Sequence, residues 1–258
     1  MVSRRVVLMT VRNPGYVGPP LARLLARSGH DIALYCPRAE PRSTRIDRES
    51  SDLIDELGEL GASVEPASDV DLTTAGNQAL VDAAISRFGR LDAACYITGF
   101  FVSGDFLAAT PAQWEIQKTA NIDSVSYALR AALPHMIEVG QGQILVFTSA
   151  IGARPEPQLS LYAASRACAN ALVRAVGLEH AGSGVVVNAI GTNFMDTPGF
   201  RASFGADEPG RRAELEALVP VRRLGTAQEV AEFAAVLLDG RSRFQTDQFF
   251  SMSGGWST

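Results

Sequence analysis

The stretch that decides the fold runs from Gln143 to Arg166 and reads QILVFTSAIGARPEPQLSLYAASR. Near its start, Ile144-Leu145-Val146 is a continuous apolar run of the kind found in parallel strands that are covered on both faces. A long helical pattern, Leu161–His180, comes next, and Val185-Val186-Val187 is then a second continuous apolar run. A strand, a helix and another buried strand in this order predict a βαβ unit with parallel strands.

The same alternation extends over the whole chain. The candidate strands are Arg5–Val11, Asp31–Cys36, Ser63–Glu65, Leu91–Ile97, Gln143–Thr148, Gly184–Ile190 and Gln248–Met252. The candidate helices are Pro19–Ser28, Asp52–Leu60, Thr73–Phe88, Asn121–Val139, Leu161–His180 and Ala227–Leu238. This order predicts an α/β fold, with one doubly wound parallel sheet in a single domain that spans residues 1–258.

One late segment interrupts this pattern. Pro198-Gly199 and Asp207-Glu208-Pro209-Gly210 carry turn-forming residues where strands and helices otherwise alternate. We therefore expect residues 197–220 to be an insertion with short helices that forms a lid over an active-site mouth.

The composition narrows the class of protein. The chain has 258 residues, 47% of them hydrophobic, which suffices for one well-packed domain. Its net charge is −5 and no stretch concentrates Lys and Arg, so we expect neither nucleic acid nor an anionic membrane as a partner. Three widely spaced cysteines predict a reduced, cytoplasmic protein. The three histidines have no metal-ligand spacing, so no metal is expected.

Several motifs resemble landmarks of the short-chain dehydrogenase/reductase family, in the order that family has them. They are Arg87–Asp92, Leu133–Met136, Thr148-Ser149, Tyr162–Arg166, Val187–Ile190, Arg223–Thr226 and Ser253–Gly255. The resemblance covers nearly the whole chain and implies a Rossmann-like domain. It also implies that Ser149 and Tyr162 are catalytic.

The first turn departs from that family. A dinucleotide site needs a Gly-rich turn, so that backbone amides and a helix N-terminus can approach the pyrophosphate. Residues 10–20 here read TVRNPGYVGPP. Val11 replaces the first glycine, the loop is one residue longer, and Tyr16 takes the place where phosphate would lie. Pro19 and Pro20 remove amide donors from the helix N-terminus.

Three more departures affect the cofactor site. The acidic ribose ligand expected after the second strand is missing from Tyr35–Arg38, and the family's Asn-Asn-Ala-Gly is Tyr96–Gly99. The Pro-Gly that helps to seat the nicotinamide is Thr192-Asn193. The lysine that also holds the nicotinamide ribose is Arg166. Together these changes predict that the chain has no functional dinucleotide site and uses no cofactor.

The combination is similar to the halohydrin dehalogenase family. Its members have a Ser, twelve residues, a Tyr, three residues and an Arg, and Ser149, Tyr162 and Arg166 match that spacing. They also have an aromatic residue in the first turn, as Tyr16 is here, and a halide loop in which an aromatic residue follows Asn. The halide or nucleophile site that the resemblance implies comprises Tyr16, Thr192, Asn193, Phe194 and Met195.

The chemistry that this resemblance implies is the closure of a vicinal halohydrin to an epoxide, with release of halide and a proton. Free tyrosine has a pKa of about 10, and a permanent cation beside it favours the phenolate. Arg166 lies one helical turn after Tyr162, so Tyr162 is the expected base, and Ser149 is expected to orient the substrate oxygen. In reverse, small anions such as azide, cyanide, nitrite or halide would open an epoxide. The implied enzyme is a carbon–halide lyase.

Two other interpretations stay open. The chain could be a divergent NADP-dependent reductase in which Arg38 receives the 2′-phosphate and Arg166 is tolerated in place of Lys. Asn121 favours this alternative, because an Asn in the long helix belongs to the catalytic set of ordinary reductases. The chain could also be a non-catalytic family member. Halide release, NADPH oxidation or neither activity would separate the three.

The resemblance also implies a homotetramer. In this fold the two long helices, here Asn121–Val139 and Leu161–His180, usually pack across a four-helix interface. Small side chains allow close approach of helices, and the candidates on the second helix are Ala163, Ala167, Ala171 and Ala175.

Overall fold

The architecture is a parallel sheet covered by helices on both faces. The computed structural model describes residues 4–11, 15–36, 44–67, 73–97 and 99–257. The strands are β1 (Arg5–Val11), β2 (His30–Tyr35), β3 (Val64–Ala67), β4 (Ala93–Ile97), β5 (Gly142–Ser149), β6 (Val185–Thr192) and β7 (Gln248–Met252). They pair in the order β3-β2-β1-β4-β5-β6-β7, every pair parallel. The predicted doubly wound parallel sheet is confirmed.

Helices connect these strands. They are α1 (Gly18–Arg27), α2 (Thr44–Glu59), α3 (Thr74–Phe88), α4 (Pro111–Lys118), α5 (Ser124–Val139), α6 (Ser160–Glu179), α7 (Pro198–Phe204), α8 (Pro209–Leu218) and α9 (Ala227–Leu238). A π-helical turn, Thr119–Asp123, joins α4 to α5. The predicted long helix from Asn121 is therefore only part of a longer helical segment. α2 also begins earlier than the predicted Asp52.

Apolar side chains explain why the central strands have no exposed face. β5 and β6 are buried at every residue, as their continuous apolar runs predict. One apolar cluster joins one face of the sheet to α1 and α9, and a second joins the other face to α3, α5 and α6. The sheet order reverses between β1 and β4, and in such sheets ligands bind outside the carboxyl ends of the strands at that point.

A third apolar cluster lies beyond the carboxyl ends of β5 and β6. It joins α8, through Leu215, to Ile151, Phe194 and Trp256. Within residues 197–220, the segment expected to form a lid, α7 and α8 are short helices. This cluster therefore attaches that segment to the edge of the sheet where a ligand would bind.

The exposed face of α6 differs from the predicted one. Ala163 is buried and Ala167 is half-buried, because this side of the helix faces its own domain. The small residues exposed to solvent are Ala164, Cys168, Ala171 and Ala175. Of the four predicted interface alanines, only the last two are exposed in the isolated chain.

None of the helices among the described residues has the length and apolar character that a bilayer crossing requires.

Candidate active site

One cleft of about 1550 Å³ opens at the carboxyl ends of the strands. The predicted site residues that line it are Tyr16, Ser149, Tyr162, Arg166, Thr192, Asn193, Phe194 and Met195. The fold thus brings together residues from the first turn, β5, α6 and the loop after β6. They are up to 179 positions apart in the chain.

Ser149 is the last residue of β5 and is buried. Its Oγ accepts a hydrogen bond from the amide of Ile151 at 3.2 Å, which starts a short 3₁₀ turn. The same Oγ donates to the carbonyl of Thr192 at 3.4 Å, a long and weak bond. The hydroxyl is thus held at the edge of the sheet and can exchange the weak bond for one to a substrate oxygen.

Tyr162 and Arg166 lie one turn apart on α6, as their spacing predicts. The Cζ atom of Arg166 is 5.2 Å from the centre of the Tyr162 ring, within the range of a cation–π contact. Arg166 is buried, whereas Tyr162 is half-buried on the cleft. The phenol is therefore placed between a permanent cation and the space open to a ligand.

Gly99 makes room for this arginine. A Cβ atom at position 99 would lie 1.7 Å from Nη2 of Arg166, and the backbone there has a φ of +133°. Both the side-chain space and the backbone conformation therefore require glycine. Sequence reasoning treated this position only as the end of an altered motif, because the contact crosses 67 positions of the chain.

Asn121 anchors the loop after β4. Its Oδ1 accepts from the Phe100 amide and its Nδ2 donates to the Phe100 carbonyl, both at 2.9 Å. Nδ2 also donates to Oγ of Ser165 at 3.0 Å, and that hydroxyl donates to the carbonyl of Tyr162 at 2.8 Å. Asn121 is completely buried, in the π-helical turn. It therefore couples the loop to the helix that carries Tyr162, a role that the sequence did not reveal.

Tyr16 crosses the cleft toward β6. Its hydroxyl lies 2.5 Å from Oγ1 of Thr192, and its ring meets Phe147 edge-on with centroids 6.3 Å apart. Burial raises the pKa of Tyr16 to about 12, so the phenol is neutral at pH 7. The side chain thus extends to the end of β6 rather than staying in the first turn. Because the two hydroxyls touch, no ion fits between Tyr16 and Thr192.

The loop after β6 is held by packing and by Gly225. Phe194 has a φ of 54°, rare for an aromatic residue, and its carbonyl accepts from the Gly225 amide at 2.9 Å. Met195 forms an isolated β-bridge with Gly225. Phe194 and Met195 are both buried in apolar clusters. Asn193 has a buried Nδ2 without a hydrogen-bond partner among the described residues.

Among the described residues, the start of α1 offers few amides to a phosphate. α1 begins at Gly18, followed by Pro19 and Pro20, neither of which has an N–H. The next amide, of Leu21, already donates to the Val17 carbonyl at 3.1 Å. A Cβ atom on Gly18 would lie 2.7 Å from a Val11 methyl, so this glycine serves the contact with β1. Arg38, the candidate for a 2′-phosphate, lies outside the described residues.

Asp196 connects the loop after β6 to both α7 and α8. It accepts from Arg201 of α7 at 2.7 Å and from Arg212 of α8 at 2.8 Å. These two bonds, to Arg212 and then Arg201, lower the pKa of the carboxyl. One carboxylate thus bridges two helices that have few other polar links to the sheet edge.

We expect Asp196→Asn to loosen these helices, because the amide keeps the shape but loses both ion pairs. The ion pairs are partly exposed, so the open population should grow by no more than about fivefold. Limited trypsin digestion after Arg201 and Arg212 at neutral pH measures this. The wild type should show the same opening only at acidic pH, below the ordinary Asp pKa of about 3.9, since a lowered pKa preserves the carboxylate above that value.

Asp207→Asn is the matched control. Asp207 is 74% exposed and pairs with Arg201 alone. If both variants are cleaved at the same rate, Asp196 does not hold the two helices.

The fold and the Ser149–Tyr162 pair at the carboxyl edge of the sheet define a short-chain dehydrogenase/reductase. Residues 17–257 match the family model described as Enoyl-(Acyl carrier protein) reductase, and the chain belongs to that family.

Curated relatives agree with this assignment. Oxidoreductase UcpA from Salmonella typhimurium is 30% identical over 98% of this chain and 95% of its own length. The 2-keto-3-deoxy-L-fuconate dehydrogenase of Xanthomonas campestris pv. campestris is 28% identical over 89% of this chain and 76% of its own. Among solved structures, acetoin dehydrogenase from Enterobacter cloacae has a TM-score of 0.84 at 27% identity, covering 99% of this chain and 96% of that one.

These comparisons overturn the function expected from the sequence. The relatives are named dehydrogenases and oxidoreductases, not dehalogenases. The prediction of a carbon–halide lyase that forms epoxides from halohydrins was therefore wrong. The motif that suggested it, Ser149–Tyr162–Arg166, differs from the usual reductase motif by a single residue type at position 166, so its discriminating power was small.

Proposed function

We propose that this chain is an oxidoreductase that interconverts an alcohol and a carbonyl compound, as the alternative interpretation of the sequence holds. The observation that carries the proposal is the position of the Tyr162 phenol, on the cleft beside the buried Arg166 and near the end of β5. Tyr162 exchanges a proton with the substrate oxygen. Ser149 donates a hydrogen bond to the same oxygen once it gives up its long bond to Thr192.

Arg166 supports this proton transfer electrostatically. Its guanidinium stabilises negative charge on the phenol oxygen while the proton is away. Asn121 and Gly99 are positioning residues. Asn121 anchors the loop beside Tyr162, and Gly99 leaves space for the Arg166 side chain. These roles need no change in the fold.

The family implies a nicotinamide cofactor, and the residues do not fit one in this conformation. Tyr16 occupies the end of the cleft at Thr192, and two prolines stand at the start of α1. The lining of the cleft also includes Glu49, Asp52 and Glu56, and the Arg23 guanidinium in the same lining is paired with Glu56. The expectation that the chain has no functional dinucleotide site is therefore incompatible with the proposed activity unless the end of the cleft at Thr192 opens to a hydride donor. Turnover with a nicotinamide requires that the Tyr16 ring leave Thr192.

The deciding experiment is a steady-state assay of NADPH and NADH oxidation with neutral ketones, together with calorimetric titration of both cofactors. We expect ketone-dependent oxidation of at least one of them. No oxidation of either cofactor with any ketone, from a folded protein, would overturn the proposal.

Tyr16→Ala should increase the affinity for NADPH about tenfold or more relative to the wild type. The truncation removes the buried ring, so cofactor binding no longer has to displace a ring that is hydrogen-bonded and packed. We take the free energy of that displacement to be about 1.4 kcal/mol or more, which corresponds to the tenfold change in affinity. Tyr16→Phe is the matched control, because it loses only the hydroxyl contact with Thr192 and keeps the ring in place. Equal affinity in both variants and the wild type would mean that Tyr16 does not obstruct the cofactor.

We also propose that the chain forms a homotetramer through α5 and α6. The exposed small residues of α6, from Ala164 to Ala175, allow a second helix to approach closely. Light scattering at micromolar concentration should give four times the chain mass of 27.5 kDa. A monomeric mass would contradict it.

A further inference from the structure

An arc of aromatic rings runs from the proposed catalytic residue to the C-terminal segment. In order of contact its members are Tyr162, Phe101, Phe204, Phe200, Phe194 and Trp256. They come from the loop after β4, from α6, from the loop after β6, from α7 and from the chain after β7. Such different segments converge on one wall only through the tertiary fold.

The part of the arc nearest Tyr162 faces the cleft. Phe101 meets the Tyr162 ring edge-on with centroids 5.2 Å apart, and Phe204 lies 6.0 Å from Phe101. Phe200, one turn before Phe204 on α7, stacks at a small angle against it at 4.7 Å. All these rings are only half-buried and line the cleft, so a ligand at Tyr162 would cover them further.

The charged side chains of the cleft disfavour an anion. Arg23 makes two bonds to Glu56, at 2.8 and 2.7 Å, and Arg211 pairs with Glu214 at 2.7 Å. The third cation of the lining, Arg166, lies against Tyr162 behind the reacting face. Glu156 contributes a carboxylate to the same lining. A carboxylate or phosphate on the substrate would therefore meet arginines that already contact other side chains, and it would also be repelled by the Glu156 carboxylate.

We infer that the site takes a neutral substrate that carries an aryl ring next to its hydroxyl or carbonyl group. Flat aromatic rings pack edge-on or offset against aromatic walls and gain affinity beyond the burial of their area. A rigid ring also loses less conformational entropy on binding than a flexible chain. The inference rests on the proposed function for the reacting group, but the ring preference depends on Phe101, Phe200 and Phe204.

Three ketones test it: acetophenone, its para-carboxylate and butanone. Binding is measured without cofactor, by the ligand-induced rise in Tm and by calorimetry, and turnover is measured separately with NADPH. We expect acetophenone to bind about tenfold more tightly than either of the others. Equal binding of acetophenone and its carboxylate, or of acetophenone and butanone, would overturn the inference. If acetophenone binds selectively and is not turned over, the substrate class stands and the oxidoreductase proposal fails.

Substitutions in the aromatic wall test whether its rings produce the preference for acetophenone. Phe204→Ala should weaken acetophenone binding about tenfold and leave butanone binding almost unchanged, and Phe204→Leu, which keeps apolar volume on α7, should lose less. Phe244→Ala is the control, because Phe244 is 99% exposed and does not line the cleft. If Phe204→Ala and Phe244→Ala bind acetophenone equally well, the aromatic wall does not hold the substrate.

Discussion

Replacing Tyr162 with phenylalanine should lower kcat/KM by a factor of about a thousand, within the range of 10²–10⁴ for loss of a general acid or base. The change removes only the hydroxyl group. The ring that packs against Phe101 and Arg166 remains, so the fold and the cleft should be unaffected. Steady-state kinetics on a ketone that the wild type reduces measures the loss, with circular dichroism as the check on folding.

Tyr127→Phe is the matched control for this experiment. Tyr127 lies on α5, is half-buried like Tyr162 and does not line the cleft, so its loss should leave kcat/KM within about twofold. If Tyr162→Phe behaves like Tyr127→Phe, another group carries the proton and the role given to Tyr162 is wrong.

Of all additions of a single methyl group in the site, Gly99→Ala should lower stability and activity the most. The new Cβ would meet Nη2 of Arg166 at 1.7 Å, so the guanidinium must move or the loop must shift. Overpacking of this kind costs about 1–3 kcal/mol of unfolding free energy. A displacement of about 1 Å at a catalytic group lowers activity roughly a hundredfold. Denaturant unfolding and steady-state kinetics measure the two effects.

Gly104→Ala separates the clash from backbone strain. Gly104 also has a positive φ, +148°, but nothing lies within 4 Å of a Cβ atom there. Its substitution should therefore lower the unfolding free energy through backbone strain alone and leave kcat nearly unchanged. Equal losses of stability and activity at both positions would show that contact with Arg166 is not the reason for Gly99.

The obstructed cofactor end is the main conflict between the family and this particular chain. The relatives are named for redox activities, whereas in this chain the Tyr16 side chain crosses the cleft and touches Thr192 at the end of β6. Two experiments address this conflict. The Tyr16→Ala titration measures whether the cofactor can enter the cleft, and the ketone assay measures whether the cofactor is oxidised there.

The sequence by itself determined the fold. Strands such as Ile144–Val146 are apolar at every position because both of their faces are covered. This requirement shows in a short, continuous stretch of sequence and can therefore be recognised without the structure. It also determined that Ser149, Tyr162 and Arg166 share one site, because a strand end and one turn of the next helix meet at the same edge of a parallel sheet.

Only the tertiary structure decided what surrounds that site. The contacts of Tyr16 with Thr192, Gly99 with Arg166 and Asn121 with Ser165 join residues that lie 44 to 176 positions apart. No periodicity or short motif encodes such contacts, because they depend on how separate segments pack and on which side-chain rotamers then fit. The reaction class was misjudged because a motif that differs from the reductase motif at position 166 alone was given too much weight, and the comparison with named relatives corrected it.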